Sequence, residues 1–254
     1  MSVRVPAVAL AVLGVATPLL AQKRGEGPTT LFITYQCSPE KRAAFKAHMT
    51  GPGVGQFEKW KKAGTFKDYL ILFSSYSRFN GPTWDMLVRL DFDRYVDTQK
   101  WKAVDSAAPG GLSPEALALC SPTGSYLTDL EWQNARPTRN PAKAVYVVVG
   151  YRAHDRGMYS RYFQSKVKLD FDQWIEEGAL SWYGVYLSQH RAASPWDVVH
   201  VLEYTDVVGL ARRDVVRNQF HPEKMPSWAL AEEVSNTIRT TETPAVLADP
   251  ILPR

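Results

Sequence analysis

The chain repeats itself, and that limits its possible folds more than any single motif in it. Displacing the sequence by 114 residues lays FEKWKKAG (57–64) on FDQWIEEG (171–178) and pairs Arg42 with Arg156, Tyr69 with Tyr183 and Ser74 with Ser188. With the next turn two residues shorter, WDMLVRLDFD (84–93) meets WDVVHVLEYTD (196–206), matching Trp84, Asp85 and Leu90 to Trp196, Asp197 and Leu202. Identities that fall in one order with one small gap indicate an internal duplication.

Each copy shows the same succession of elements. The β-branched and aromatic runs LFITYQC (31–37) and AVYVVVGY (144–151) read as strands. Helix-permitting segments follow: SPEKRAAFKAHM (38–49), with Ser38 placed to cap and Pro39 in the first turn, and HDRGMYSRYFQSKVKLDFDQWIEEG (154–178). Gly64 and Gly178 stand where these helices should stop, and second strands follow in DYLILFSSY (68–76) and WYGVYLSQH (182–190). Polar turns RFNGPT (78–83) and RAASP (191–195) lead into the matched third strands. Second helical regions are expected at 95–104 with 114–120 and at 207–218 with 227–238. Last strands are expected at GSYLTDLEW (124–132) and near TTETPAVL (240–247).

Strand, helix, strand, strand, helix, strand, written twice, is the α+β pattern of two ferredoxin-like βαββαβ units, at 31–134 and 144–250. ARPTRNPAK (135–143) is the linker between them. Such a unit leaves one sheet face bare, so two units in one chain can cover each other sheet to sheet around a lumen. On this element order and repeat, the chain resembles the dimeric α+β barrel superfamily in its fused tandem form. The resemblance implies a site between the sheets. Its members include cofactor-free monooxygenases, haem-binding enzymes such as chlorite dismutases, small lyases and isomerases, and proteins with no assigned chemistry.

Residues two apart on a strand share a face. Ile71, Phe73, Val185 and Leu187 form an apolar set suited to packing on helices, as do Trp84, Met86, Val88 and Leu90 with Trp196, Val198, His200 and Leu202. The lumen face then carries Ser74 and Tyr76; Trp182, Tyr186, Ser188 and His190; and Asp85, Leu87, Arg89 and Asp91 with Asp197, Val199, Val201 and Glu203. Polar tips among aromatic walls suit a small organic ligand. His190 is the candidate general acid or base, and Arg89 the candidate stabiliser of negative charge on a substrate oxygen. Tyr76, Tyr186, Ser188, Trp182, Asp91 and Glu203 complete the expected binding set. Asp85 and Asp197, each after a tryptophan, read as turn residues, and Trp60 and Trp174 as core.

Three function classes follow: a small-molecule-binding barrel, with or without cofactor-independent oxidation or proton transfer; a haem protein with His200, His190 or His221 on the iron; or an interaction or scaffold protein. No HExxH, GxSxG, GxGxxG or phosphate loop is present, and two cysteines give no zinc site. Cys37 and Cys120 are either a disulfide or two buried thiols. A net charge of +4 from interspersed signs gives no nucleic-acid footprint. Residues 1–21 have the basic start, short apolar run and small final residue of a cleaved export signal, with Pro6 and Pro18 interrupting any span. The mature chain is therefore expected in the periplasm or outside the cell, without stable membrane insertion. Homo-oligomerisation is left open.

Overall fold

The computed structural model describes residues 27–76, 84–153, 155–220, 239–241 and 245–253. Expectations for residues 1–21, His154, His221 and a helix at 227–238 lie outside them. The first copy runs β1 (Thr29–Cys37), α1 (Arg42–His48), α2 (Val54–Lys62), β2 (Asp68–Ser74), β3 (Met86–Phe92), α3 (Thr98–Ala107), α4 (Pro114–Leu117) and β4 (Cys120–Ala135). The second runs β5 (Val145–Ala153), α5 (Arg156–Tyr162), α6 (Lys168–Glu176), β6 (Leu180–Ser188), β7 (Val198–Tyr204), α7 (Val207–Phe220), β8 (Arg239–Thr241) and β9 (Val246–Pro250). A π turn joins the first two helices of each copy, at Met49–Gly53 and Phe163–Val167, so even this irregularity repeats at the same offset. Both helices end on a glycine with positive φ, Gly64 at 69° and Gly178 at 76°, as their positions in the repeat require.

Spatially the strands lie β4-β1-β3-β2 in one copy and β9-β5-β7-β6 in the other, all neighbours antiparallel. The two sheets do more than face each other. Pairing of β4 with β6 and of β2 with β9 joins their edges, giving a closed ring of eight strands, with β8 continuing the β5 edge beyond β9. The strand β4 makes one of these seams alone: residues 120–128 pair with β1 and 128–135 with β6. Bulges at Thr34/Tyr35 and at Leu130/Trp132 let it bend from one sheet to the other. Closure leaves no unpaired edge in the ring, which removes a route to aggregation.

Most strands therefore have two covered faces, β4 being the one with many exposed residues. Outside the barrel, Ile71, Phe73, Met86, Val88 and Leu90 pack with Phe45 and Phe57 of the first copy's helices. Val185, Leu187, Val198 and Leu202 do so with Tyr159, Phe163 and Phe171 of the second. Inside it, Phe32, Leu72, Leu87, Tyr146, Trp182, Tyr186, Val199 and Val201 form a third cluster. Trp84 and Trp196 also belong to this inner cluster, not to the helix side where alternation put them. They precede β3 and β7 by two residues, and alternation has no hold on chain that is not yet strand. The expected Ser38 cap is also absent: α1 begins only at Arg42, after a turn in which Lys41 N–H bonds the Ser38 carbonyl.

Cys37 and Cys120 form a disulfide between directly opposed residues of β1 and β4. It closes a separation of 83 residues, which in the unfolded chain is a long loop to forbid. Reducing the bridge, or replacing both cysteines with alanine, should cost about 2–4 kcal/mol and lower Tm by roughly 5–15 °C. Calorimetry with and without reductant tests this, and an unchanged Tm contradicts it.

Candidate functional site

The charged groups of the barrel interior centre on two carboxylates, one from each copy. Asp91 and Glu203 occupy equivalent positions of the repeat on β3 and β7, and both carboxylates are neutralised in different ways. Asp91 accepts from Arg89, two residues back on its own strand, at 2.8 Å, and from the Thr30 hydroxyl at 2.9 Å. In the second copy Val201 stands where Arg89 does, so Glu203 takes its counter-charge from the linker. Both Arg139 Nε, at 3.0 Å, and Arg139 Nη2 donate to it. Tyr146 and Ser181 hydroxyls add bonds of 2.5 and 2.6 Å. Burial alone would raise the Glu203 pKa, but these donors outweigh it and hold the carboxyl below its ordinary value. With every lone pair occupied, Glu203 is a structural anion and not an available base.

Trp182 sits between the two ion pairs. The Arg89 guanidinium lies over its ring at 5.2 Å from the centroid and that of Arg139 at 5.4 Å. Each contact joins a charged group to the face of a π system, worth about 0.5–2 kcal/mol depending on desolvation. Gly184, between Trp182 and Tyr186 on β6, allows both rings to lie along the sheet. A Cβ there would come within 2.7 Å of Trp182 and 2.8 Å of Tyr186.

Arg89 is the most suggestive group in the lumen. Its side chain is 11% exposed, Nη1 donates to the Tyr186 hydroxyl at 3.2 Å, and Nε is buried with no partner among the described residues. Burial pulls its pKa down, but Tyr186 and Asp91 reverse that, so it remains a cation. Burial drives the Tyr186 phenol above its ordinary range, against the pull of Arg89. Tyr186 therefore stays protonated, and having accepted from Arg89 it still has a proton to donate.

Of the residues expected at the site, the structure brings together Arg89, Asp91, Trp182, Tyr186 and Glu203, with Ser188 further along the same face of β6. Tyr76 and His190 are not with them: both are exposed, Tyr76 by 68%. Each lies past the end of its strand, so strand alternation does not set its direction. Asp85 and Asp197 hold turns. Asp85 accepts from Cys37 N–H and Arg42, and Asp197 from Ala153 N–H and Arg191. Arg139, Tyr146 and Ser181 were not anticipated. Tyr146 had a detectable signal, since it carries a hydroxyl on the same face as Val148 in the apolar first half of its strand, whereas Arg139 looked like linker.

Neither His200 nor His190, the two described haem-ligand candidates, lies in the lumen. His200 is 1% exposed under the second copy's helices, its Nε2 bonded to the Tyr159 hydroxyl and its ring packed on Tyr151, Phe163 and Phe171. His190 sits at the start of a surface turn, its carbonyl accepting from Ala193 N–H. His221 lies outside the described residues. Among those residues no three His, Cys, Asp or Glu side chains cluster to hold a metal, and no helix is long and apolar enough to cross a membrane.

A closed ring of two ferredoxin-like units in one chain, with helices outside and a site region within, is the dimeric α+β barrel architecture in its fused form. The comparisons agree on that fold. The chain is similar to an anthrone oxidase-like protein at 11% identity, over 89% of this chain and 92% of that one, with a TM-score of 0.56. A monooxygenase-like protein from Lactobacillus acidophilus NCFM matches at 10% over 89% and 95%, TM-score 0.53. A mutant chlorite dismutase from Candidatus Nitrospira defluvii matches at 11% over 90% and 92%, TM-score 0.51. No family model and no curated protein matches the chain. At such identities the likeness is one of fold, and it extends over more than nine-tenths of each of these neighbours.

The Arg139–Glu203 pair yields an asymmetric prediction. Arg139→Met strands a fully buried carboxylate and should cost about 3 kcal/mol, whereas Glu203→Gln frees a guanidinium already 36% exposed and should cost less. Because the folded pKa of Glu203 is depressed, the unfolded chain binds more protons below the ordinary carboxyl value of 4.5. Stability from this group is complete above that value and is lost as pH falls through the folded pKa. Glu203→Gln should flatten that acid limb in urea melts from pH 3 to 7. Equal losses in the two variants, or an unchanged limb, would contradict the assignment.

Proposed function

We propose that this is an exported barrel protein whose lumen takes a small aromatic or otherwise apolar molecule, with an anionic or carbonyl oxygen held by Arg89 and Tyr186. The observation that carries the reading is the buried Arg89, charged, forked and with Nε unpartnered beside a phenol that can still donate. Trp182, Leu70 and Leu130 supply apolar surface around it, the two leucines half-buried at the inner cluster. If chemistry occurs there, it is the cofactor-independent kind, an oxidation or a proton transfer in which Arg89 stabilises negative charge developing on the substrate oxygen. The names of the oxidase-like and monooxygenase-like neighbours favour that class. His190 has no part in it, being exposed. Export rests on the pattern of residues 1–21, and the Cys37–Cys120 bridge favours an oxidising compartment.

One observation supports a non-catalytic scaffold instead: Phe32, Trp182 and Tyr186 are themselves buried in the lumen, with two of these rings laid over Gly184. Titration calorimetry with 4-isopropylbenzoate separates the readings. Binding to the wild type that weakens at least about tenfold in Arg89→Gln, and also weakens in Tyr186→Phe, is expected of a ligand site. No binding, or equal affinity in Arg89→Gln, favours the scaffold.

A further inference from the structure

The lumen holds a second pair of unsatisfied donors that the Arg89 site does not use. Ser188, at the end of β6, is 1% exposed, and its Oγ has no hydrogen-bond partner among the described residues. Trp196, 4% exposed, is in the same state at Nε1. Their backbones run side by side: Ser188 N–H donates to the carbonyl of Asp197, the residue after Trp196, at 2.8 Å. Trp196 belongs to the inner cluster, its ring 5.1 Å from that of Tyr126. Ser188 shares its face of β6 with Tyr186, about 7 Å along the strand.

The repeat supplies a control. Ser74, the counterpart of Ser188, uses its Oγ fully, donating to the Tyr76 carbonyl at 2.6 Å and accepting from Arg42 at 3.4 Å. Its position demands no orphaned hydroxyl, so the orphan in the second copy is a divergence. The nearest acid does not complete the pair either, because the Asp197 carboxylate is held by Arg191, Arg152 and Ala153 N–H. A donor-only indole and a hydroxyl on adjoining chain segments, both shut off from solvent, suit an oxygen with two lone pairs and no proton to place.

We infer that Ser188 and Trp196 form a second subsite that accepts a neutral carbonyl oxygen of the molecule whose anionic end meets Arg89 and Tyr186. The ligand class is then an aryl ketone bearing a carboxylate or phenolate. This rests on the lumen reading above and narrows it. The alternative occupant is a buried water bridging the two donors.

The test compares 4-acetylbenzoate with 4-isopropylbenzoate, nearly equal in shape but differing in the carbonyl, by titration calorimetry. The ketone should bind the wild type about tenfold more tightly. That advantage should vanish in Ser188→Ala and Trp196→Phe while the affinity for 4-isopropylbenzoate holds, and Arg89→Gln should weaken both probes. A ratio near one in the wild type, or a ratio surviving both variants, overturns the subsite and leaves the Arg89 site standing. Absence of binding by either probe overturns both. The melting temperature of Ser188→Ala without ligand is a second readout. It should be unchanged or higher, and a fall of several degrees would assign the hydroxyl to a structural water and overturn the subsite.

Discussion

The barrel depends on how charge is managed where its two halves meet inside. A lumen built from one duplicated sheet brings equivalent acids, Asp91 and Glu203, inside the barrel, where a carboxylate without a counter-ion is costly. The chain supplies Arg89 from strand β3 for the first and Arg139 from the linker for the second. Trp182 is then laid beneath both cations. The linker is thus more than a tether. It contributes the counter-ion that the second copy, with Val201 where the first has Arg89, does not supply from its own strand.

The repeat helps to sort the structural residues. Most positions kept identical do the same structural work twice. Arg42 and Arg156 donate to the carbonyls of Ser74 and Ser188, Asp85 and Asp197 tie the turn before the third strand to the first, and Tyr69 and Tyr183 bond acids on the preceding helices. Positions that differ are where the interior becomes asymmetric. Arg89 opposite Val201 leaves one strand-borne cation instead of two, and His200 in place of Val88 goes to the helix side, where Tyr159 satisfies it.

Much of the fold was legible because it is encoded locally and then encoded again. Strand periodicity, the glycine stops at Gly64 and Gly178 and the repeat each pointed to two ferredoxin-like units. Edge closure was not legible, since nothing local in β4 says that its second half will leave β1 for β6; that follows only from assembling both sheets. Within the site, alternation placed Arg89, Asp91, Trp182, Tyr186 and Glu203 correctly because they lie inside strands. It misplaced Trp84, Trp196, Tyr76 and His190 because each lies beyond a strand end. Arg139 was invisible because its role depends on a long-range return of the linker to Glu203.

Closed by paired edges and joined at Trp182, which lies under Arg89 of one copy and Arg139 of the linker, the two copies form one cooperative body. Native-state hydrogen exchange of Trp182→Ala, read on the amides of β1 and β3 against those of β5 and β7, tests it most directly. If the claim holds, the slowest amides of both copies lose protection by the same amount. Loss confined to the second copy, which carries Trp182, would contradict it.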